Sequence, residues 1–255
     1  MRTIALTLRQ FRYEQKMFRR TPAAMFFVVA FPVVLLMIFA SLNRDQHLTR
    51  LGGISFNQYY TPSMAAFAMM SSCYSNLAGR FVYRRETGIL KRFRASPLPV
   101  EALIGGLLVS AVVIGTIVAT VNLAAGTIFY GAVLPHRWIA FILLLIVAST
   151  SFCAMAAGIS SMIPSLDSAD PIIWGTFMPL VFISGAFFPV PATSPLSALA
   201  SIFPVQHLIK ASFDAFNPHT TSSGIALNHL AVIAAWGVAG GLLARKQFKW
   251  EPVRK

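Results

Sequence analysis

Between Thr21 and Asn43 the chain has no charged residue. Roughly 20 predominantly apolar residues are what a helix needs to cross a ~30 Å hydrocarbon layer. Runs of this kind recur, at Leu51–Gly79, Ala102–Pro135, Trp138–Met162, Pro171–Phe188 and Gly224–Ala244. Soluble domains carry about 25% charged residues; here the figure is 11%, against 56% hydrophobic. The fold class expected is therefore an all-α integral membrane protein. Its six transmembrane helices are predicted at 23–42, 59–79, 102–130, 138–162, 171–188 and 224–244. Pro32 should kink the first, and the pair Tyr59 and Tyr60 suits the membrane interface at the start of the second. Met64, Met69 and Met70 suit filling gaps between helices, lining a substrate path being the other role. Ala102, Gly106 and Ser110 share one helical face, as do Gly237 and Gly241, and small residues so spaced let helices approach closely in lipid.

Two segments do not span. Residues 1–20 read as an amphipathic helix, with Ile4, Leu8, Phe11 and Phe18 on its apolar side and Arg9, Arg12, Lys16, Arg19 and Arg20 on its basic side. Such a helix lies in the headgroup layer. It is too charged for a signal peptide, so the first apolar run is expected to remain as an anchor. Residues 189–207 are interrupted by Pro189, Pro191, Pro195 and Pro204. Their apolar part is too short to cross and reads as a re-entrant or interfacial hairpin before span six.

The net charge of +13 sits in a few short blocks. Residues 1–20 hold six bases and one acid, residues 80–101 six bases and two acids, and residues 245–255 five bases and one acid. The positive-inside rule then places both termini in the cytoplasm. Blocks of this kind orient a membrane protein rather than line a nucleic-acid groove. Cys73 and Cys153 belong to no paired motif and read as small apolar side chains. His136, His207, His219 and His229 lack ligand spacing, so no metal is expected.

The segment from Arg84 to Pro99 reads as a short basic helix with Ile89, Leu90 and Phe93 near one face, stopped by Pro97 and Pro99. Projecting between spans two and three, it suits docking on a cytoplasmic partner. A loop that binds lipid headgroups fits the same composition. Arg85-Glu86, Gly88, the basic-apolar run Lys91–Arg94 and Ser96-Pro97 resemble the coupling loop of permease subunits of ATP-binding-cassette type-2 exporters. Ile89 stands where that family usually has threonine. Ser184-Gly185, closing on Pro189, and Pro204-Val205-Gln206-His207 resemble the family's re-entrant element. The chain is similar in particular to drug and antibiotic efflux permeases.

The resemblance implies two permease chains, identical or related, around a central path. Two copies of a separate nucleotide-binding ATPase subunit would carry the ATP and magnesium. Arg85, Glu86, Gly88, Leu90, Arg92, Phe93 and Pro97 would couple the chain to that subunit. No G-x-x-x-x-G-K-[ST] loop occurs here, so ATP is not bound by this chain in that manner. A path through such a bundle suits amphipathic or lipid-like cargo, with Met69, Ser72, Asn76, Phe177 and Phe182 as its expected lining. Rival readings are an ion-coupled transporter, an intramembrane enzyme and a channel. The first needs an acid within a span; the nearest are Asp167 and Asp170, in a turn between prolines, where capping a helix end is the other role. No nucleophile and base lie together for the second, and no filter sequence marks the third.

Overall fold

The computed structural model describes residues 2–48, 53–95, 99–191, 193–217 and 225–252. The order is α1 (Arg2–Arg19), α2 (Pro22–Leu42), α3 (56–86), α4 (Ile89–Arg94), α5 (Val100–Tyr130), α6 (Trp138–Met162), α7 (Ala169–Ile183), α8 (Pro195–Ala200), α9 (Pro204–Phe216) and α10 (Leu227–Gln247). The chain also has two short paired strands, which the sequence did not announce. His47–Leu48 (β1) pairs antiparallel with Ile54–Ser55 (β2), His47 opposite Ser55. Among the described residues α2, α5, α6 and α10 are long and apolar enough to cross a membrane.

The other two predicted spans differ in instructive ways. The run 56–86 is one unbroken helical path, extending beyond 59–79 at both ends. It is the central helix: every residue from 59 to 75 is buried. Surrounding helices shield it from lipid, so it can carry Ser71, Ser72, Ser75 and Asn76. Tyr59 and Tyr60 are buried within the bundle. The helix expected over 171–188 is Ala169–Ile183. At 1.5 Å per residue it is about 22 Å long, short of the ~30 Å core.

Glycine decides where helices touch. A Cβ on Gly158 of α6 would stand 2.7 Å from the Gly240 carbonyl oxygen of α10, and one on Gly237 2.6 Å from Ser151 Oγ. Gly241 meets Ala154 at an ordinary 4.0 Å, so the close pair is Gly237 and Gly240, not Gly237 and Gly241. Gly106 and Ser110 of α5 seat α1: a Cβ on Gly106 would meet Gln10 at 2.5 Å, and Gln15 donates to Ser110 Oγ at 3.0 Å. The disturbance expected at Pro32 takes the form of a π-helical turn, Phe26–Ala30, just before it. A second π-helical segment, Ser71–Asn76, interrupts α3.

Candidate functional site

Most of the residues expected to couple the chain to a partner lie at and just beyond the end of the central helix. Arg85 is buried and points back into the bundle. Its Nη1 donates to the Ser160 carbonyl at 2.9 Å and its Nη2 to the Ile163 carbonyl at 2.5 Å. Those carbonyls end α6, where the last helical acceptors lack partners and a cation is favoured. Nε binds Glu86 Oε1 at 2.7 Å. Arg85 thus ties the base of α3 to the base of α6. Gly88 then breaks the path, with φ of 72°, a left-handed conformation that glycine takes without a Cβ clash. Ile89–Arg94 follows as a separate helix.

The expected apolar ridge of that helix is turned inward in part: Leu90 is buried and Phe93 half-buried, while Lys91 and Arg92 are exposed. Lys91 meets Glu251 of the C-terminal tail at 3.5 Å. Pro97 lies outside the described residues.

Sequence reasoning missed the cluster beside this junction. Glu14 of α1 is fully buried and takes both Nη atoms of Arg84, at 2.8 and 2.7 Å. It also accepts from Arg80 and, at 2.6 Å, from Gln10. Burial pulls the Glu14 carboxyl upward, but the Arg84 hydrogen bonds and the charges of Arg84 and Arg80 outweigh it, holding the pKa below its ordinary value. The signal available was Gln10, Glu14 and Phe18 at four-residue spacing, with a lone acid among six bases. That face packs on the protein, while Ile4 and Leu8 are exposed on the other side.

The five expected path residues are not brought together. Met69 and Ser72 face α5, Ser72 Oγ lying 3.4 Å from the Ala111 carbonyl. Phe177 stacks on Tyr74 at 5.7 Å. Phe182 is exposed on α7. Asn76 alone among them lines the cavity of about 530 Å³ between α1, α2, α3 and α7.

At the far end of the bundle, Ser184 Oγ returns to the Val181 carbonyl at 2.8 Å. Gly185 has φ of 87°, and its carbonyl accepts from Tyr59 Oη at 2.6 Å. After Pro189 the chain forms α8 and then α9, which starts at Pro204 and continues past the predicted hairpin end to Phe216. His207 Nε2 bonds the Ser201 carbonyl at 2.8 Å and its Nδ1 lies 2.7 Å from His229 Nδ1. A carbonyl only accepts, so His207 donates to it through Nε2; in a neutral His207 the Nδ1 then accepts from His229. The turn at Asp167 is held by Ser165 and Ser168, each backbone N–H donating to the other's hydroxyl, rather than by an aspartate cap.

Apolar helices around a shielded central helix, one of them tied by a buried arginine to the end of that central helix, define a polytopic membrane protein. A family model described as ABC-2 type transporter matches residues 2–216, and the chain belongs to that family. No curated protein matches it. The matched domain is the transmembrane permease part of an ABC exporter, without an ATPase of its own; the family generally works with a separate ATPase subunit.

Proposed function

We propose that this chain is the permease of a six-span exporter in the cell membrane, with both termini cytoplasmic, that moves amphipathic or lipid-like cargo out of the cytoplasm. Drugs, antibiotics and lipid-linked glycans are the cargo classes in view. α3 and α7 complete the six crossings, α7 with the help of the chain that follows it. Two copies of the ATPase subunit bind ATP and magnesium, and a second permease chain completes the path.

The observation that carries the reading is the Arg85–Gly88 junction. A push on Ile89–Arg94 has two routes inward: through Gly88 to the central helix, and through Arg85 to the carbonyls that end α6. Because Leu90 is buried and Lys91 and Arg92 are exposed, the partner is met by charge, while the apolar side chains anchor the helix to its own bundle. Charge contacts of this kind set register and partner choice.

The test is gentle purification of the tagged chain from its native membrane. An ATPase subunit should accompany it in about equal amount, with vanadate-sensitive hydrolysis. Glu86→Ala and Gly88→Pro should then leave hydrolysis present but uncoupled from transport. Normal ATP-driven transport in both variants overturns the coupling role. Transport by the chain alone, without ATP, overturns the exporter reading in favour of ion coupling.

A further inference from the structure

The cavity of about 530 Å³ has features that packing does not explain. Both π-helical segments of the described residues line it, Phe26–Ala30 through Phe27 and Val28, and Ser71–Asn76 through Ser71, Ser75 and Asn76. π-Helical turns are rare and occur frequently at functional sites. Ser75 is buried and its hydroxyl has no hydrogen-bond partner, although buried polar groups are nearly always paired. The cavity is within the size range of small-molecule sites.

The lining carries both signs of charge. Arg80 and Arg84 share the single carboxylate of Glu14, which leaves one positive charge in excess. Asp170 of α7 also lines the cavity, exposed and without an ion pair or hydrogen bond among the described residues. Trp174 is four residues on, on the same face of α7, and also lines the cavity. A carboxylate beside an aromatic face suits an ammonium group; a guanidinium suits a phosphate. Phe27, Val28 and Ala24 supply an apolar side.

We infer that this cavity binds the head of a zwitterionic amphiphile, its ammonium toward Asp170 and Trp174, its anionic group toward Arg80, and its chain along α2. A cation alone meets the field of Arg80, and an anion alone meets that of Asp170. Ser75 and Asn76 hydrogen-bond the head between them. The cytoplasmic side of the site rests on the orientation proposed above; the binding itself does not depend on ATP-driven transport.

The test uses the full chain in an uncharged maltoside detergent, without the ATPase subunit. The probe is lysophosphatidylethanolamine with a photoreactive diazirine in its acyl chain. Cationic and anionic probes with the same chain are compared. Saturable labelling by the zwitterionic probe, mapped by peptide mass spectrometry to the Phe27 and Trp174 regions, is expected. Asp170→Asn should weaken it about tenfold, the scale of losing one hydrogen-bonded charge. Ala24→Phe, which fills the cavity, should abolish labelling without lowering the melting midpoint. Equal labelling by all three probes, or labelling unchanged in both variants, overturns the inference. Phosphatidylethanolamine that copurifies in stoichiometric amount and blocks the probe identifies a resident membrane lipid. A chain that purifies without it and labels fully takes its amphiphile from outside that pool; both results support the site. Failure here leaves the exporter reading intact, and an ATPase-independent chain leaves the binding result intact.

Discussion

Removing the Glu14 carboxylate leaves Arg80 and Arg84 side by side with no counter-charge, and the damage reaches α1 and α3 at once. Breaking one partner of a buried ion pair costs about 3–5 kcal/mol; Arg80 is 17% exposed, which favours the lower end. Glu14→Gln should therefore lower the melting midpoint clearly in detergent, whereas Lys16→Gln, on the exposed side of the same helix, should leave it unchanged. The pH dependence has a definite sign. A carboxyl held below its ordinary value of 4.5 contributes stability that is complete above that value and is lost as pH falls through the folded-state value. The gap between the native chain and Glu14→Gln should be full at pH 7 and close as the pH drops below 4.5. A gap that stays constant down to pH 3 would show that Glu14 acts by packing alone. The lone acid at Glu14 was visible in the sequence; its partners were not, because they lie 66 and 70 positions away on another helix.

At the scale of elements, periodicity was readable but the face that meets a neighbour was not always so. The Gly106 and Ser110 stripe does meet another helix, α1. In α10, by contrast, spacing alone favoured Gly237 and Gly241, and the contact runs through Gly237 and Gly240 because α6 crosses on that side. In lipid, van der Waals packing at such contacts replaces the hydrophobic drive between helices. Gly158→Leu should therefore force α6 and α10 apart, since backbone rather than a movable side chain stands in the way; overpacking of this kind costs typically 1–3 kcal/mol or more. Gly241→Ala should be neutral. Size-exclusion profiles of fluorescently tagged variants check both, and an intact monodisperse peak for Gly158→Leu would mean that the two helices can separate freely. The short length of α7 was hidden for a different reason: Phe187 and Phe188 extend the apolar run, but they pack against Phe39 in an aromatic cluster after the helix has ended at Ile183.

For the whole molecule, composition revealed a helical membrane protein at once, since charge-free runs leave few alternatives. The number of crossings was harder, because a shielded central helix can afford polar residues and a short helix can be completed by irregular chain. The six-span proposal and a four-span chain built from α2, α5, α6 and α10 alone make opposite predictions at three exposed positions. With six crossings, Arg92 and Asp167 face the cytoplasm and His136 faces outward. If α3 and α7 stay within one leaflet, Arg92 and Asp167 face outward and His136 faces the cytoplasm. Both schemes put Lys16 inside and Arg44 outside, which provides controls. The native thiols, Cys73 and Cys153, are free and buried and should be silent to a polar reagent. Single Arg92→Cys, Asp167→Cys and His136→Cys variants, treated in intact cells with a membrane-impermeant maleimide, should label only at His136→Cys. Labelling at Arg92→Cys and Asp167→Cys instead would reduce the chain to four crossings and place the Arg85–Gly88 junction on the wrong side of the membrane to meet a cytoplasmic ATPase.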